Sequence, residues 1–207
     1  MSSTVWFTAD HHFGHANIVL HCTRPFGSVA EMNATMADRW NSVVGPQNVV
    51  YHLGDIFWMP SGEAQALRRR LNGRICLVRG NHDLTADSIR TCFEWVNDYY
   101  ELKVEDDDAA GGKQLIVLCH YAMRVWNHSN YGSWHLFGHS HGTLPEIPGG
   151  LAIDVGVDCH DFTPIPYAHV KAIMQARRAA GGAVQVPWVC GEGDDEVEDD
   201  GPRPVSA

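Results

Sequence analysis

Five short segments of the sequence carry side chains that can bind metal ions, and each one follows a predicted strand. In chain order they are Asp10-His11-His12, Gly54-Asp55, Gly80-Asn81-His82-Asp83, Cys119-His120 and Gly138-His139-Ser140-His141. Sheets in α/β proteins bind ligands beyond the carboxyl ends of their strands, so we expect the five segments to converge on one site. The 13 histidines, against 7 Phe and 6 Tyr, favour metal chemistry at that site.

Two of the segments place metal-binding side chains two residues apart. Asp10 and His12 leave an extended backbone on the same face, as do His139 and His141, so each pair can chelate one cation. Carboxylate, amide oxygen and imidazole together suit Mn, Fe, Zn, Ni or Co. Calcium prefers all-oxygen sites, and Cu(I) prefers sulfur. Glycines beside three of the segments permit close approach of the backbone.

The elements that must position these segments follow from the apolar pattern. Short runs rich in branched residues predict strands at 4–9, 48–53, 74–79, 99–104, 114–119, 134–137 and 151–157. Helices are predicted at 28–43, 61–71 and 167–179, the first with the capping-box spacing of Ser28 and Glu31. Residues 105–112 predict a solvated hairpin loop. Strands with intervening helices indicate an α/β layered domain.

Length and composition predict one soluble domain followed by a polar tail. The 207 residues are 44% hydrophobic and 19% charged, which excludes a wholly disordered or coiled-coil chain. Residues 1–180 form the expected domain, and residues 181–207, Gly-rich and then acidic, are expected to be largely disordered. No apolar run can span a bilayer, no secretory leader is evident, and the six cysteines are scattered, which predicts a cytoplasmic protein.

The net charge of −10 is concentrated in the tail and in residues 105–108, so the remaining body is nearly neutral. It has no basic stripe of the kind that binds duplex nucleic acid. We therefore expect neither a membrane partner nor stable binding to a duplex.

In order, the five segments resemble the D-x-H, GD, GNHD, H and GHxH motifs of the calcineurin-like metallophosphoesterases. Residues 10–18, 24–26 and 154–158 are also similar to a small single-domain bacterial and phage branch of predicted phosphoesterases. The resemblance implies a four-layer α/β/β/α sandwich, in which helices flank two mixed sheets and two metal ions are bound. Residues 1–180 would then form a metallophosphoesterase domain.

The resemblance also implies roles for individual residues. Seven would be metal ligands: Asp10, His12 and His141 for the first ion, Asn81, His120 and His139 for the second, and Asp55 for both. His82 would act on the phosphoryl group or the leaving group, oriented by Asp83. Trp58 stands where the family often has a second acid, a departure that concerns the support of the ligands.

The implied activity is hydrolysis of a phosphoester by a hydroxide that bridges the two metal ions. A phosphodiester is the favoured substrate and a monoester the alternative; manganese is the favoured metal among the five named above. The expected partner is a small phosphoester, with a nucleotide as one candidate. His15, Arg24 and Arg124 are candidate substrate contacts, because imidazole and guanidinium groups can bind phosphate oxygens.

Two other function classes stay open at this point. A noncatalytic scaffold or assembly module would keep the fold and a metal, although such modules tend to lose ligands and every motif position here is filled. A nuclease would call for a basic groove or an added recognition domain, and the sequence shows neither.

Several residues near the motifs are expected to have structural roles. His11 alternates away from its neighbours and is expected to pack or to support them, and His52 is expected to be a core histidine. Four aromatic residues could stack on a base, although packing is the simpler interpretation: Tyr121, Trp126, Tyr131 and Trp134.

Overall fold

The computed structural model describes residues 4–83, 87–147 and 149–180. The strands in these ranges are β1 Val5–Thr8, β2 Val49–His52, β3 Arg74–Val78, β4 Trp95–Asn97, β5 Tyr99–Glu105, β6 Lys113–Cys119, β7 Trp134–Phe137, β8 Ala152–Asp154 and β9 Ile165–Pro166. The α-helices are α1 Ile18–His21, α2 Val29–Val43, α3 Ser61–Arg68 and α4 Tyr167–Ala180. The expectation for the tail, residues 181–207, lies outside the described residues.

The strands form two mixed sheets. One has the order β4-β3-β2-β1-β9, in which β1 to β4 are parallel and β9 is antiparallel. The other has the order β5-β6-β7-β8, in which β5 and β6 form an antiparallel hairpin and the remaining pairs are parallel. Ala9 after β1 pairs with Gly156 after β8, so the carboxyl ends of the two sheets meet at one edge of the molecule.

Two apolar clusters hold these layers together. Helices α2 and α3 bury Trp40 and Leu67 in a cluster with Ile75 of the five-stranded sheet. The second cluster joins residues of both sheets, including Phe7 of β1 and Leu118 of β6. Helix α2 begins as predicted, because Ser28 Oγ accepts a hydrogen bond from the Glu31 backbone N–H at 3.1 Å. This packing fixes the strands whose ends carry the metal-binding side chains.

The sequence predicted seven of the strands and three of the helices to within a few residues. Strands β4 and β9 and helix α1 were missed; they have three, two and four residues, too few to show a period. The predicted strand at 151–157 is shorter, Ala152–Asp154, because the chain then turns across to pair with Ala9. The hairpin at 105–112 is present, but Asp106 is buried and accepts a hydrogen bond from Lys171 Nζ at 2.6 Å.

The described residues do not confirm the second helical layer of the expected four-layer sandwich. Helices α2 and α3 cover the five-stranded sheet, whereas loops cover the outer face of the four-stranded sheet, where Trp126 packs 5.3 Å from His135 between ring centroids. Helix α4 contacts β1 and β9 and places Val170 and Met174 in the cluster between the sheets. The fold is therefore α/β with two mixed sheets and helices. Across the described ranges, no helix combines the length and apolarity needed to cross a membrane.

Candidate metal centre

The loops after β1 and β2 run side by side beyond the sheet. The backbone N–H groups of Asp10 and His12 donate to the carbonyls of Gly54 and Asp55 at 3.0 and 2.9 Å. The same ladder continues from Phe13 to the carbonyl of Ile56 at 2.9 Å. Backbone hydrogen bonds therefore hold the first predicted ligands beside Asp55.

The Asp83 carboxylate joins the loop after β3 to the loop after β2. It accepts hydrogen bonds from the backbone N–H groups of Asp55 at 2.7 Å, Ile56 at 3.0 Å and Gly80 at 2.8 Å. Burial nevertheless raises the pKa of Asp83 above its usual range. The Asp83 carboxylate thus binds the backbone of two loops, and its role in orienting the His82 ring stays a prediction.

The predicted ligands of the first ion come together at the end of β1. The ligand atoms of Asp10, His12 and His141 all lie within 4.8 Å of one another. Asp10 Oδ1 and His12 Nε2 are buried and have no hydrogen-bond partner among the described residues. Burial, followed by the nearby carboxylates of Asp154 and Asp55, raises the pKa of Asp10 well above its usual range. A cation would satisfy these orphaned atoms and offset the cost of the buried carboxylate, so the site fits a metal ion.

A second group of metal-binding atoms adjoins the first. His120 Nε2 lies 3.0 Å from Asn81 Oδ1 and 3.6 Å from Asp55 Oδ2. Because His120 Nδ1 lies 2.7 Å from the Leu53 carbonyl, which can only accept, the proton is on Nδ1 and the Nε2 lone pair faces the two oxygens. The His139 ring lies 5.1 Å from the His120 ring between centroids. Lone pairs of His120 Nε2, Asn81 Oδ1 and Asp55 Oδ2 therefore face the same space, which suits a second cation.

Asp55 stands between the two groups. Its Oδ2 lies 3.5 Å from His12 Nε2 and 3.6 Å from His120 Nε2, and the residue is 2% exposed. Its Oδ1 accepts a hydrogen bond from the backbone N–H of His82 at 2.8 Å. A Cβ on Gly80 would overlap this carboxylate, so the close approach requires glycine at that position. The geometry agrees with the bridging position implied for Asp55, although its role as a ligand stays a prediction.

The histidines of the cluster are kept neutral by their surroundings. Burial, followed by the neighbouring His141, lowers the pKa of His12 to about 2. Burial also lowers the pKa of His120. Neutral imidazole is the form that binds a cation, so both side chains are ready to do so at neutral pH.

Five of the seven predicted ligands have a left-handed backbone. Their φ angles are 58° for Asp10, 50° for His12, 58° for Asp55, 67° for His139 and 47° for His141. Residues other than glycine rarely adopt this conformation, which costs about 1–3 kcal/mol each and clusters at functional sites. The strain therefore coincides with the side chains that the motifs single out.

Arg24 and Asp158 support the first group from beneath. Arg24 donates to both carboxylate oxygens of Asp158 at 2.8 Å and to the carbonyls of Asp10 and His11 at 2.7 and 2.9 Å. Asp158 Oδ2 in turn accepts a hydrogen bond from His141 Nδ1–H at 2.6 Å, which leaves the Nε2 lone pair of His141 free to bind a cation. Arg24 is 4% exposed and its guanidinium is engaged by protein oxygens, and its contact with substrate stays a prediction.

Sequence reasoning gave Asp158 no role. Its partners Arg24 and His141 are distant in the chain, and the hydrogen bond to Arg24 spans 134 positions. The available signal was its position: Asp158 ends the segment 154–158, which follows the last motif and is similar to the phosphoesterase branch.

The remaining candidate residues lie around the cluster. The His82 ring is half-buried, with its centroid 5.6 Å from the His12 ring. The His15 ring is also 5.6 Å from the His12 ring. Burial, followed by the neighbouring His82, lowers the pKa of His15. Arg124 is exposed on the segment between β6 and β7, so His82, His15 and Arg124 all remain candidates for contact with a substrate.

An apolar groove of about 520 Å³ begins beside the cluster. One end is formed by Gly142 and Cys159, the neighbours of His141 and Asp158, and the groove passes Met123 and Trp126 to reach Ile173 of α4. If a small molecule binds at the metal centre, an organic group that it carries could pack against the apolar surface of this groove.

Two mixed sheets with a cluster of carboxylate, amide and imidazole groups at their joined edge define an α/β protein with a candidate metal centre. No protein-family model matches the chain. The uncharacterized protein MJ1445 of Methanocaldococcus jannaschii is 32% identical over 168 residues, which cover 78% of this chain and 85% of that protein. The gene 66 protein of Mycobacterium phage L5 is 30% identical over 169 residues, which cover 69% of this chain and 79% of that protein. The chain belongs to the family of these two proteins.

One solved structure shows a shared fold. The crystal structure of the protein of unknown function AQ665 from Aquifex aeolicus has a TM-score of 0.63 at 22% identity, covering 83% of this chain and all (100%) of that one. A conserved uncharacterized protein of Streptococcus pneumoniae, described as a predicted phosphoesterase, has a TM-score of 0.35 at 16% identity, covering 75% of this chain and 72% of that one. The second similarity is too low to support an argument about function.

Proposed function

We propose that this protein is a metal-dependent phosphoesterase that hydrolyses a phosphodiester bond and uses two divalent transition-metal ions. The observation that carries the proposal is the position of Asp55 Oδ2, 3.5 Å from His12 Nε2 and 3.6 Å from His120 Nε2. A carboxylate oxygen within reach of both groups of ligands is suited to bridge a pair of adjacent cations. Manganese is the favoured metal, and a small phosphoester is the proposed substrate.

The proposal divides the seven side chains between two ions. They are Asp10, His12 and His141 for the first, Asn81, His120 and His139 for the second, and Asp55 for both. When bound, such a pair of cations stabilises negative charge on phosphoryl oxygens and lowers the pKa of a bound water.

His82 is the residue proposed to act on the substrate. Its ring is half-buried beside His12, and its backbone N–H donates to Asp55 at 2.8 Å, which fixes the position of the residue. An imidazole held there can donate a proton to the leaving oxygen or stabilise charge on the phosphoryl group. Asp83 contributes by holding the backbone of this loop against the loop after β2.

Replacing His82 tests the proposal, because it separates chemistry from metal binding. In His82→Ala, we expect the metal content to be unchanged and turnover of bis(4-nitrophenyl) phosphate and of a dialkyl phosphodiester to fall by about 10²–10⁴-fold. If His82 mainly protonates the leaving group, the loss should be smaller for the aryl ester, whose phenolate needs little protonation. His169→Ala is the matched control, since His169 is exposed on α4.

The same preparations distinguish the other function classes. A protein that binds two equivalents of manganese and hydrolyses no phosphoester would be a scaffold and would overturn the proposal. Full turnover of every diester by His82→Ala would show that the His82 assignment is wrong.

A further inference from the structure

Two exposed aromatic side chains, Trp58 and Tyr121, adjoin the candidate metal centre. Trp58 is 40% exposed, and its ring centroid lies 4.5 Å from that of His15 and 4.9 Å from that of His82. Tyr121 is 48% exposed, and its ring centroid lies 4.9 Å from that of His139 and 5.1 Å from that of His120. Each ring offers a planar surface beside the cluster, on which a planar group of a ligand bound there can stack.

The two rings contact different histidines of the cluster. His15 and His82, which touch Trp58, both lie 5.6 Å from the His12 ring and so border the first group of ligands. Tyr121 instead touches two histidines of the second group. Because Asp55 lies between the two groups, a phosphoryl group bound beside it would have one of these rings near each group of ligands.

The backbone under both rings is firmly held. The Trp58 backbone N–H donates to the Phe13 carbonyl at 2.8 Å, which continues the ladder between the loops after β1 and β2. On the other side, His135 Nδ1 lies 3.1 Å from the Val117 carbonyl and donates to it, so its Nε2 accepts from the Met123 backbone N–H at 3.0 Å. Buried His135 thereby holds the segment that follows Tyr121. Aromatic rings on a held backbone lose little conformational entropy when a ligand stacks on them.

We propose that Trp58 and Tyr121 are stacking faces for two planar groups, one on each side of the bound phosphorus. This inference rests on the proposed function and narrows it: the substrate is a phosphodiester that joins two planar aromatic groups, of the nucleoside or aryl class. A monoester has one organic group and would leave one ring uncovered.

Equilibrium binding of two phosphinates to the manganese-loaded protein tests the inference without hydrolysis. Dibenzylphosphinate carries a planar ring on each side of phosphorus, dimethylphosphinate carries none, and neither has an ester bond. Trp58→Ala and Tyr121→Ala should each weaken binding of dibenzylphosphinate by about 5- to 150-fold, as expected for the loss of one stacking contact. Binding of dimethylphosphinate should not change.

Two controls make the result specific. Tyr131→Ala removes a tyrosine that is 86% exposed and packs on His128, away from the cluster, and should bind both phosphinates as the wild type does. Trp58→Phe keeps a stacking face and should retain most of the affinity for dibenzylphosphinate. Metal content and melting temperature confirm that each variant is folded and loaded.

The outcomes separate this inference from the proposed function. Equal affinity of the wild type for both phosphinates, or unchanged binding in both alanine variants, overturns the inference even if esters are hydrolysed. Ring-dependent binding without hydrolysis of any ester supports the stacking faces and overturns the proposed activity instead.

Discussion

The two groups of predicted ligands differ in how firmly the protein holds them. Asp10 and His12 are buried and His141 is half-buried, with the Arg24–Asp158 pair beneath them. In the second group His120 is buried, whereas Asn81 and His139 are exposed. Ordering exposed side chains around a cation costs conformational entropy that buried side chains have already lost. We therefore expect the first proposed metal position to be preformed and the second to be completed only when an ion binds.

Removal of the Asp55 carboxylate should have the largest effect, because both groups of ligands would lose the side chain that they share. In Asp55→Ala we expect metal content to fall from about two equivalents to below one, with activity lost, since both cations are proposed to share this side chain. Elemental analysis after gel filtration measures the content, and Asp55→Asn, which keeps the size of the side chain, checks for misfolding. Retention of two equivalents in both variants would contradict the bridging role.

A smaller effect is expected from weakening the support of one group only. Asp158→Asn should lower the affinity of the tighter manganese step by about 10–100-fold, because the carboxylate no longer holds the His141 ring, and should leave the weaker step unchanged. Calorimetric titration of the metal-free protein resolves the two steps. Asp161→Asn is the matched control, as this exposed carboxylate pairs with Arg39. A change confined to the weaker step would reverse our ranking of the two positions.

The smallest of the three effects is expected in the pH dependence of the stability of the metal-free protein. Burial lowers the pKa of His52, whose Nε2 lies 2.9 Å from His11 Nδ1, to about 3. The unfolded chain binds a proton at this histidine near pH 6.5, whereas the folded protein does not until near pH 3, so stability is lost as the pH falls below 6.5.

Replacing His52 should make this pH dependence shallower. Between pH 7 and pH 5, the free energy of unfolding of His52→Gln should fall by about 2 kcal/mol less than that of the wild type. Urea denaturation at the two pH values measures the difference, and His169→Gln on the exposed face of α4 should behave as the wild type. An equal fall in both proteins would show that His52 takes up its proton in the folded state.

Much of the site could be predicted from the sequence because its segments follow strands. The order of apolar runs located β1, β2, β3, β6 and β7, and parallel pairing then brings their ends to one edge. Contacts between loops could not be predicted in this way. The motif identified Asp83, but whether it would meet an imidazole or backbone N–H groups depended on how close the loop after β2 came. The outer layer of the four-stranded sheet could not be predicted either, since nothing in the sequence of residues 121–133 separates a covering loop from a covering helix.

The left-handed backbone at Asp10, His12, Asp55, His139 and His141 has a consequence for descent as well as for chemistry. Glycine adopts this conformation at no steric cost, so replacing any of these residues by glycine would relieve strain while removing a metal-binding side chain. A lineage released from the need for metal would gain stability by such changes. Glycine at several of these positions in a relative would thus be the mark of a protein that has kept the fold and given up the activity.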